Sequence, residues 1–195
     1  MEFFTIIISL VFINNFVLAK ILGLCPFIGV SGKMKDSISM GVAVTFVMAM
    51  ASAVTFIVFQ LLKAYHLEFM TTIFFILVIA ALVQFVEMVI QKTSPALYRA
   101  LGIYLPLITT NCTVLGVAIL NVQGFNTGPF AINFLKAILQ GTAAGVGFTM
   151  AMLLMAGIRE RFEIYDMPAS VKGAPIAFIC AGLMALAFLG FGGMV

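Results

Sequence analysis

The chain has 195 residues, of which 64% are apolar and only 9% charged, ten Lys/Arg against seven Asp/Glu for a net charge of +3. A soluble domain is about 45–50% apolar and about 25% charged, and a chain of this size exposes too much surface to hide the excess in one core. A soluble enzyme, a disordered chain and a nucleic-acid binder are excluded, and the solvent that fits is a lipid bilayer.

The charge-free runs are 3–19, 37–62, 69–86, 100–135, 137–158 and 173–195. A spanning helix takes roughly 17–25 apolar residues. The long run is cut by Asn121-Val-Gln-Gly-Phe-Asn-Thr-Gly-Pro129, so six spans are expected, near 3–22, 38–62, 69–90, 97–120, 131–157 and 174–194. Span one opens Met1-Glu2-Phe3, with no basic segment before it and no small-residue cleavage site after it, so it reads as a helix rather than a cleaved signal. It carries Asn14 and Asn15 deep in the apolar run, then Lys20, then Gly23-Leu24-Cys25-Pro26-Phe27-Ile28-Gly29. Span two repeats small residues every fourth position, at Gly41, Thr45, Ala49 and Ala53, a pattern that lets helices pack closely in lipid. His66 follows in a short loop and reads as a loop residue.

Span three contains Glu87, the one carboxylate expected inside a span. It is either an ion or proton ligand or an interfacial partner of Lys92. Span four carries Pro106, then Thr109-Thr110-Asn111-Cys112-Thr113, then Gly116. Span five has Gly141, Gly145 and Thr149 on one face, and the mixed-charge segment Arg159–Asp166 after it reads as a solvated loop. Span six holds Cys180, read as a small buried apolar residue.

The loops after spans one, three and five hold Lys33, Lys35, Lys92, Arg99, Arg159, Arg161 and Lys172, whereas the other side holds only Lys63 and Lys136. Short loops rich in Lys and Arg stay in the cytoplasm. Both termini are therefore expected outside a prokaryotic cell membrane, with the odd-numbered loops inside. The halves also resemble each other. Gly41, Val42, Thr45 and Met48 match Gly145, Val146, Thr149 and Met152 at an offset of 104, identical at all four places. Asn14, Val17 and Leu18 match Asn111, Val114 and Leu115 at an offset of 97.

Three spans per half is an odd number, so the second half enters the membrane inverted. The expected fold is an all-α integral membrane protein in one domain, 1–195, built from inverted three-helix repeats at 1–95 and 96–195. Gly and Pro interrupt spans one and four at corresponding places, which predicts discontinuous helices lining a site near the midplane. Asn14, Asn15, Thr110 and Glu87 are the candidates for an ion path; Asn and Thr also serve simply to hydrogen-bond neighbouring helices. Cys25 and Cys112 fall in the two interrupted segments. A disulfide between them is disfavoured by the expected orientation, and metal is the remaining option. Fe–S clusters are usually held by four Cys, so two make half a site, and no CxxC pair is present.

The stretches Phe12-Ile-Asn-Asn-Phe-Val-Leu-Ala-Lys-Ile-Leu-Gly-Leu-Cys-Pro-Phe-Ile-Gly-Val30 and Leu105-Pro-Leu-Ile-Thr-Thr-Asn-Cys-Thr-Val-Leu-Gly116 carry a family resemblance. The chain resembles the Rnf-Nqr family of membrane proteins, which takes in the RnfA component of the Rnf complex, an ion-moving ferredoxin:NAD⁺ oxidoreductase, and the E and D components of the Na⁺-translocating NADH:quinone reductase. The resemblance implies that Cys25 and Cys112 ligate half of an intramembrane [2Fe–2S] cluster. Gly23, Leu24, Pro26, Asn111 and Thr113 would surround it. A homologous, E-like membrane component of opposite topology would supply the other ligands, and B-, C-, D- and G-like components would complete the complex. The implied role is electron relay coupled to Na⁺ or H⁺ movement within a redox-driven translocase, with no complete active site in this chain. No nucleotide fingerprint or flavin-attachment motif is present, so neither NAD nor flavin is expected on it. A secondary transporter or ion channel built on an inverted repeat is the competing reading, in which both cysteines merely line a pore and tolerate serine.

Overall fold

The computed structural model describes residues 7–93, 105–124, 129–165 and 173–191, and among them every regular element is helical. A π-helical turn, Ser9–Ile13, ends at Asn14. Then come α1 (Leu24–Val30), α2 (Met34–Ala64) and, behind a 3-10 turn at Glu68–Met70, α3 (Thr71–Thr93). They are followed by α4 (Leu105–Thr109), α5 (Cys112–Gly124), α6 (Phe130–Ile164) and α7 (Ala174–Leu189). The repeat boundary expected at 95/96, the start of the fourth span at 97–104, and Arg99, Asp166 and Lys172 lie outside the described residues.

Among the described residues, four stretches are long and apolar enough to cross a membrane: Met34–Ala64, Glu68–Val89, Pro106–Gly124 and Phe130–Phe162. The apolar α7 is shorter. The distribution of side chains is that of a protein in lipid. Val42 and Phe46 on α2, Leu77 and Phe85 on α3, and Leu183 and Leu186 on α7 all point outward and are exposed. Asn15, Ser31, Ser37, Ser52, Thr55, Asn111, Thr113, Asn121 and Asn133 are buried, whereas no charged side chain is buried among the described residues.

Several helices run beyond the spans expected from the charge-free runs: α3 reaches Thr93, α5 continues through Asn121 to Gly124, expected as a break, and α2 and α6 carry charged residues within the helix. Helix α2 begins at Met34, with Asp36 in its first turn where a carboxylate suits the positive end of the helix dipole. Helix α6 continues through Ile164, so Arg159–Ile164, expected as loop, is two further turns of helix. At 1.5 Å per residue, 31 and 35 residues make about 46 and 52 Å of helix. That exceeds a hydrocarbon core about 30 Å thick, so charged ends need not stop the backbone ladder.

Helices α2 and α6 form the principal contact of the fold. Glycine makes it possible. A Cβ on Gly145 would stand 2.6 Å from the Thr45 Cα, and a Cβ on Gly41 would stand 2.5 Å from Thr149 Cγ2. The contact is reciprocal, Gly41 against Thr149 and Gly145 against Thr45, and the offset of 104 relates glycine to glycine and threonine to threonine. At its centre the Thr45 and Thr149 hydroxyl oxygens are 3.2 Å apart. Each also lies 2.8 Å from the carbonyl four residues back in its own helix, at Gly41 and Gly145. A hydroxyl has one hydrogen, so the two threonines fill two of these three bonds at a time.

Candidate functional site

The site is built where two interrupted stretches meet. In the first, the Asn14 N–H closes the π turn on the Ser9 carbonyl at 2.6 Å. Asn15, fully buried, then reorganises the chain. Its Oδ1 accepts from the N–H groups of Val17 and Leu18 at 3.0 and 3.4 Å, an Asx turn that competes with helix. Its Nδ2 donates to the carbonyls of Val11 (3.0 Å) and Gly147 on α6 (2.8 Å). Ile21 and Gly23 both take positive φ, +57° and +79°. After these left-handed residues the helix restarts as α1, with Cys25 as its second residue.

The second interruption is shorter. Thr110 donates from both N and Oγ1 to the Pro106 carbonyl, at 3.1 and 2.8 Å, ending α4. Asn111 then accepts from the Thr113 N–H at 3.1 Å, the bond by which an asparagine caps a helix start. Helix α5 begins at once with Cys112. Asn15 and Asn111 thus make the same bond to the N–H two residues on. The structural counterpart of Asn111 is Asn15, one position later than the sequence match placed it.

The two restarted helices touch at their beginnings. The Gly23 N–H donates to Cys112 Sγ at 3.0 Å. Gly23 is buried, and a Cβ there would overlap Thr113 Oγ1 and stand 3.1 Å from both Asn111 Oδ1 and a ring carbon of Phe148. Only glycine fits, since both the backbone conformation and the space exclude a side chain. Cys25 and Cys112 are free and exposed, and Cys180 is free and buried in α7. Beside the contact, Asn111 Nδ2 and Thr113 Oγ1 are buried without a hydrogen-bond partner.

Of the residues singled out by sequence, Gly23, Asn111, Cys112 and Thr113 are brought into contact, and Leu24, Cys25 and Pro26 follow directly as the first turn of α1. Asn14 is exposed and donates to Ser9 Oγ at 3.1 Å. Thr110 is exposed at the end of α4, and Glu87 is half-buried on α3. No group of three or more His, Cys, Asp or Glu is gathered among the described residues. Chemically, the locus offers two accessible soft donors, one already accepting a backbone N–H. Sequence reading missed four contributors. Gly147 and Phe148 contact the first interruption from α6, and Arg159 and Glu160 bond to the chain between α1 and α2. The signal for the last pair was present in two opposite charges at a span end facing a buried serine.

The family described as "Rnf-Nqr subunit, membrane protein" matches residues 3–195. The chain is 56% identical over 190 residues to the A component of the "Na(+)-translocating ferredoxin:NAD(+) oxidoreductase complex" of Acetobacterium woodii, covering 97% of this chain and 96% of that one. It is 53% identical over 195 residues to the A component of the "Ion-translocating oxidoreductase complex" of Vibrio vulnificus, covering 100% of this chain and 98% of that one. The A component of the complex so named in Syntrophotalea carbinolica is 52% identical over 191 residues, covering 97% and 96%.

Proposed function

The chain belongs to the Rnf-Nqr family of membrane subunits, and from that premise we propose that it is the electron-relaying component of an ion-translocating ferredoxin:NAD oxidoreductase. In this reading Cys25 and Cys112 supply half the ligands of a [2Fe–2S] cluster within the membrane. The observation that carries it is the bond from the Gly23 N–H to Cys112 Sγ, which ties the cysteine-bearing start of α5 to the residue two before Cys25. The donor set fits half of such a centre. Iron–sulfur clusters take four thiolates, and this locus offers two, both exposed and open to a neighbouring chain. A homologous membrane protein of opposite topology would bring the other two.

When bound, the cluster would take up and pass on one electron partway across a hydrocarbon core about 30 Å thick. The chain's own residues do the rest. Asn15 and Asn111 fix the two interruptions, Gly23 lets them approach, and its N–H contributes to the field at the Cys112 sulfur. Hydrogen bonds to sulfur and the burial around it tune reduction potential.

The same reading takes the chain as six spans in inverted repeats, 1–95 and 96–195, with spans one and four discontinuous. The reciprocal crossing of α2 and α6 supports it, because a two-fold relation pairs residue with counterpart in both directions. So do the matching bonds of Asn15 and Asn111, and the place of each cysteine in the first turn after its interruption. Both termini are taken to be outside, with Lys33, Lys35, Lys92, Arg159 and Arg161 on the inner side. Asn14, Thr110 and Glu87 are the polar groups on which a Na⁺ or H⁺ path would draw. Asn15, whose amide is engaged at both atoms, would shape that path rather than line it.

The test is iron content and electron paramagnetic resonance of the dithionite-reduced complex with its soluble iron–sulfur subunits removed. Wild type should show a [2Fe–2S] signal, Cys25→Ser and Cys112→Ser should each lose it, and Cys180→Ser should keep it. If iron is absent from wild type and both mutants turn over, the relay reading is refuted and a transporter takes its place.

A further inference from the structure

We propose that Arg159 is a positioning residue for Cys25, acting through α1. The inference rests on the reading of Cys25 as a metal ligand, but its geometry stands on bonds remote from the sulfur. Helix α1 has seven residues, too few to be stable alone. Its last carbonyls have no partner within the helix, and each partner they find fixes where the helix lies.

One arm of Arg159, Nη1, donates to the Ile28 carbonyl at 2.7 Å and to Ser31 Oγ at 3.0 Å. Ser31 is fully buried, so this bond is sheltered from competing water. The guanidinium sits at the end of α1 where the carbonyls make the field negative. The next residue, Glu160, accepts from the Met34 N–H at 2.8 Å, at the first residue of α2. Two successive residues of α6 therefore grip the two sides of the α1–α2 turn, each charge on the pole that suits it. Ser37 reinforces the turn from α2 by donating to the Lys33 carbonyl at 3.0 Å.

Ile28 lies three residues, about one helical turn, beyond Cys25. At the other end of α1, Gly23 is held by Cys112. The rod between these anchors has no slack, so displacing its Arg159 end swings the Cys25 end. On the α7 side Leu24 and Phe27 border an apolar cavity of about 170 Å³, so packing there is incomplete. Arg159 is thus the anchor that sets where Cys25 sits relative to Cys112.

The experiment uses the assembled, purified complex. In iron-depleted complex, N-ethylmaleimide alkylation of Cys25 and of Cys112 is followed peptide by peptide by mass spectrometry. In iron-loaded complex, the g values and midpoint potential of the membrane cluster are recorded. Arg159→Gln, which removes the charged donor of both bonds, should change the Cys25-to-Cys112 rate ratio by about tenfold and should shift the g values. Arg159→Lys, which keeps the charge but not the fork, should fall between. Arg161→Gln, at an exposed neighbour, should match wild type. Should Arg159→Gln not assemble, Ser31→Ala removes one acceptor with α6 intact and should move the ratio the same way by less. The proposal is overturned if Arg159→Gln, or Ser31→Ala in its place, leaves both ratio and g values unchanged, or if Arg161→Gln changes them equally. Absence of a cluster signal in wild type would refute the ligand reading alone, and the alkylation ratio would still decide the role of Arg159.

Discussion

Replacing Gly23 with alanine tests the heart of the site. The residue has φ +79°, where an L side chain costs about 1–2 kcal/mol. The new methyl would overlap Thr113 Oγ1 and press on Asn111 Oδ1 and Phe148. Thr113 is fully buried and has no room to turn aside. The backbone must then shift, and the bond from Gly23 N to Cys112 Sγ goes with it, for about another 1 kcal/mol. The sum is about 2–3 kcal/mol. For a domain of this size that corresponds to roughly 4–12 °C in the temperature at which the detergent-solubilised protein loses its monodisperse elution. Gly29→Ala is the matched control, since nothing lies within 4 Å of the added carbon and the residue is helical. It should be neutral or raise stability by about 0.5–1 kcal/mol. A Gly23→Ala protein that elutes and melts like Gly29→Ala would refute the account of the contact.

The other substitutions probe what surrounds that contact. Asn15→Ala strips partners from the Gly147 carbonyl and the Val17 N–H in a fully buried place and should cost about 2–4 kcal/mol by the same melting assay. Asn14→Ala, at the exposed neighbour, should cost under about 1 kcal/mol. Gly41→Ala should destabilise the α2–α6 crossing, and Thr149→Ala should restore part of the loss by opening the space, a coupling of about 1–2 kcal/mol in a double-mutant cycle. Gly145→Ala should resist rescue by Thr45→Ala, because its clash is with the Thr45 Cα itself; equal rescue at both sites would show that the helices simply move apart.

The sequence carried the class of fold and the places where the helical ladder is interrupted for identifiable reasons. Scarce charges mark a lipid-facing chain, and Gly and Pro beside Asn mark where helix must yield. Cys25 and Cys112 stood out because each sat in such a segment. The extent of α2 and α6 was not legible, because charge marks the edge of the hydrocarbon and not the end of a helix. Nor was the equivalence of Asn15 with Asn111. The two interruptions differ in length, and sequence matching counts residues where the structure repeats a bond. Arg159 and Glu160 read as no more than a charged span end, because two of their three partners, the Ile28 carbonyl and the Met34 N–H, are backbone groups and the third, Ser31, lies 128 positions away. The role of Gly23 as a contact point depended on φ and on Thr113, neither of which is written in the local sequence.

The bonds that fasten the first thirty residues reach far along the chain: Gly23 to Cys112 over 89 positions, Arg159 to Ser31 over 128, Arg159 to Ile28 over 131, and Asn15 to Gly147 over 132. During synthesis at about 5–20 residues per second, Asn15 waits roughly 7–26 s before Gly147 exists to hold it. Throughout that interval the Asn15 Nδ2 lacks the Gly147 carbonyl to which it donates. The contacts that fasten α1 at both ends are therefore a late event in the life of the nascent chain. A ribosome stalled before residue 112 would leave the first cysteine translated but its segment without either anchor.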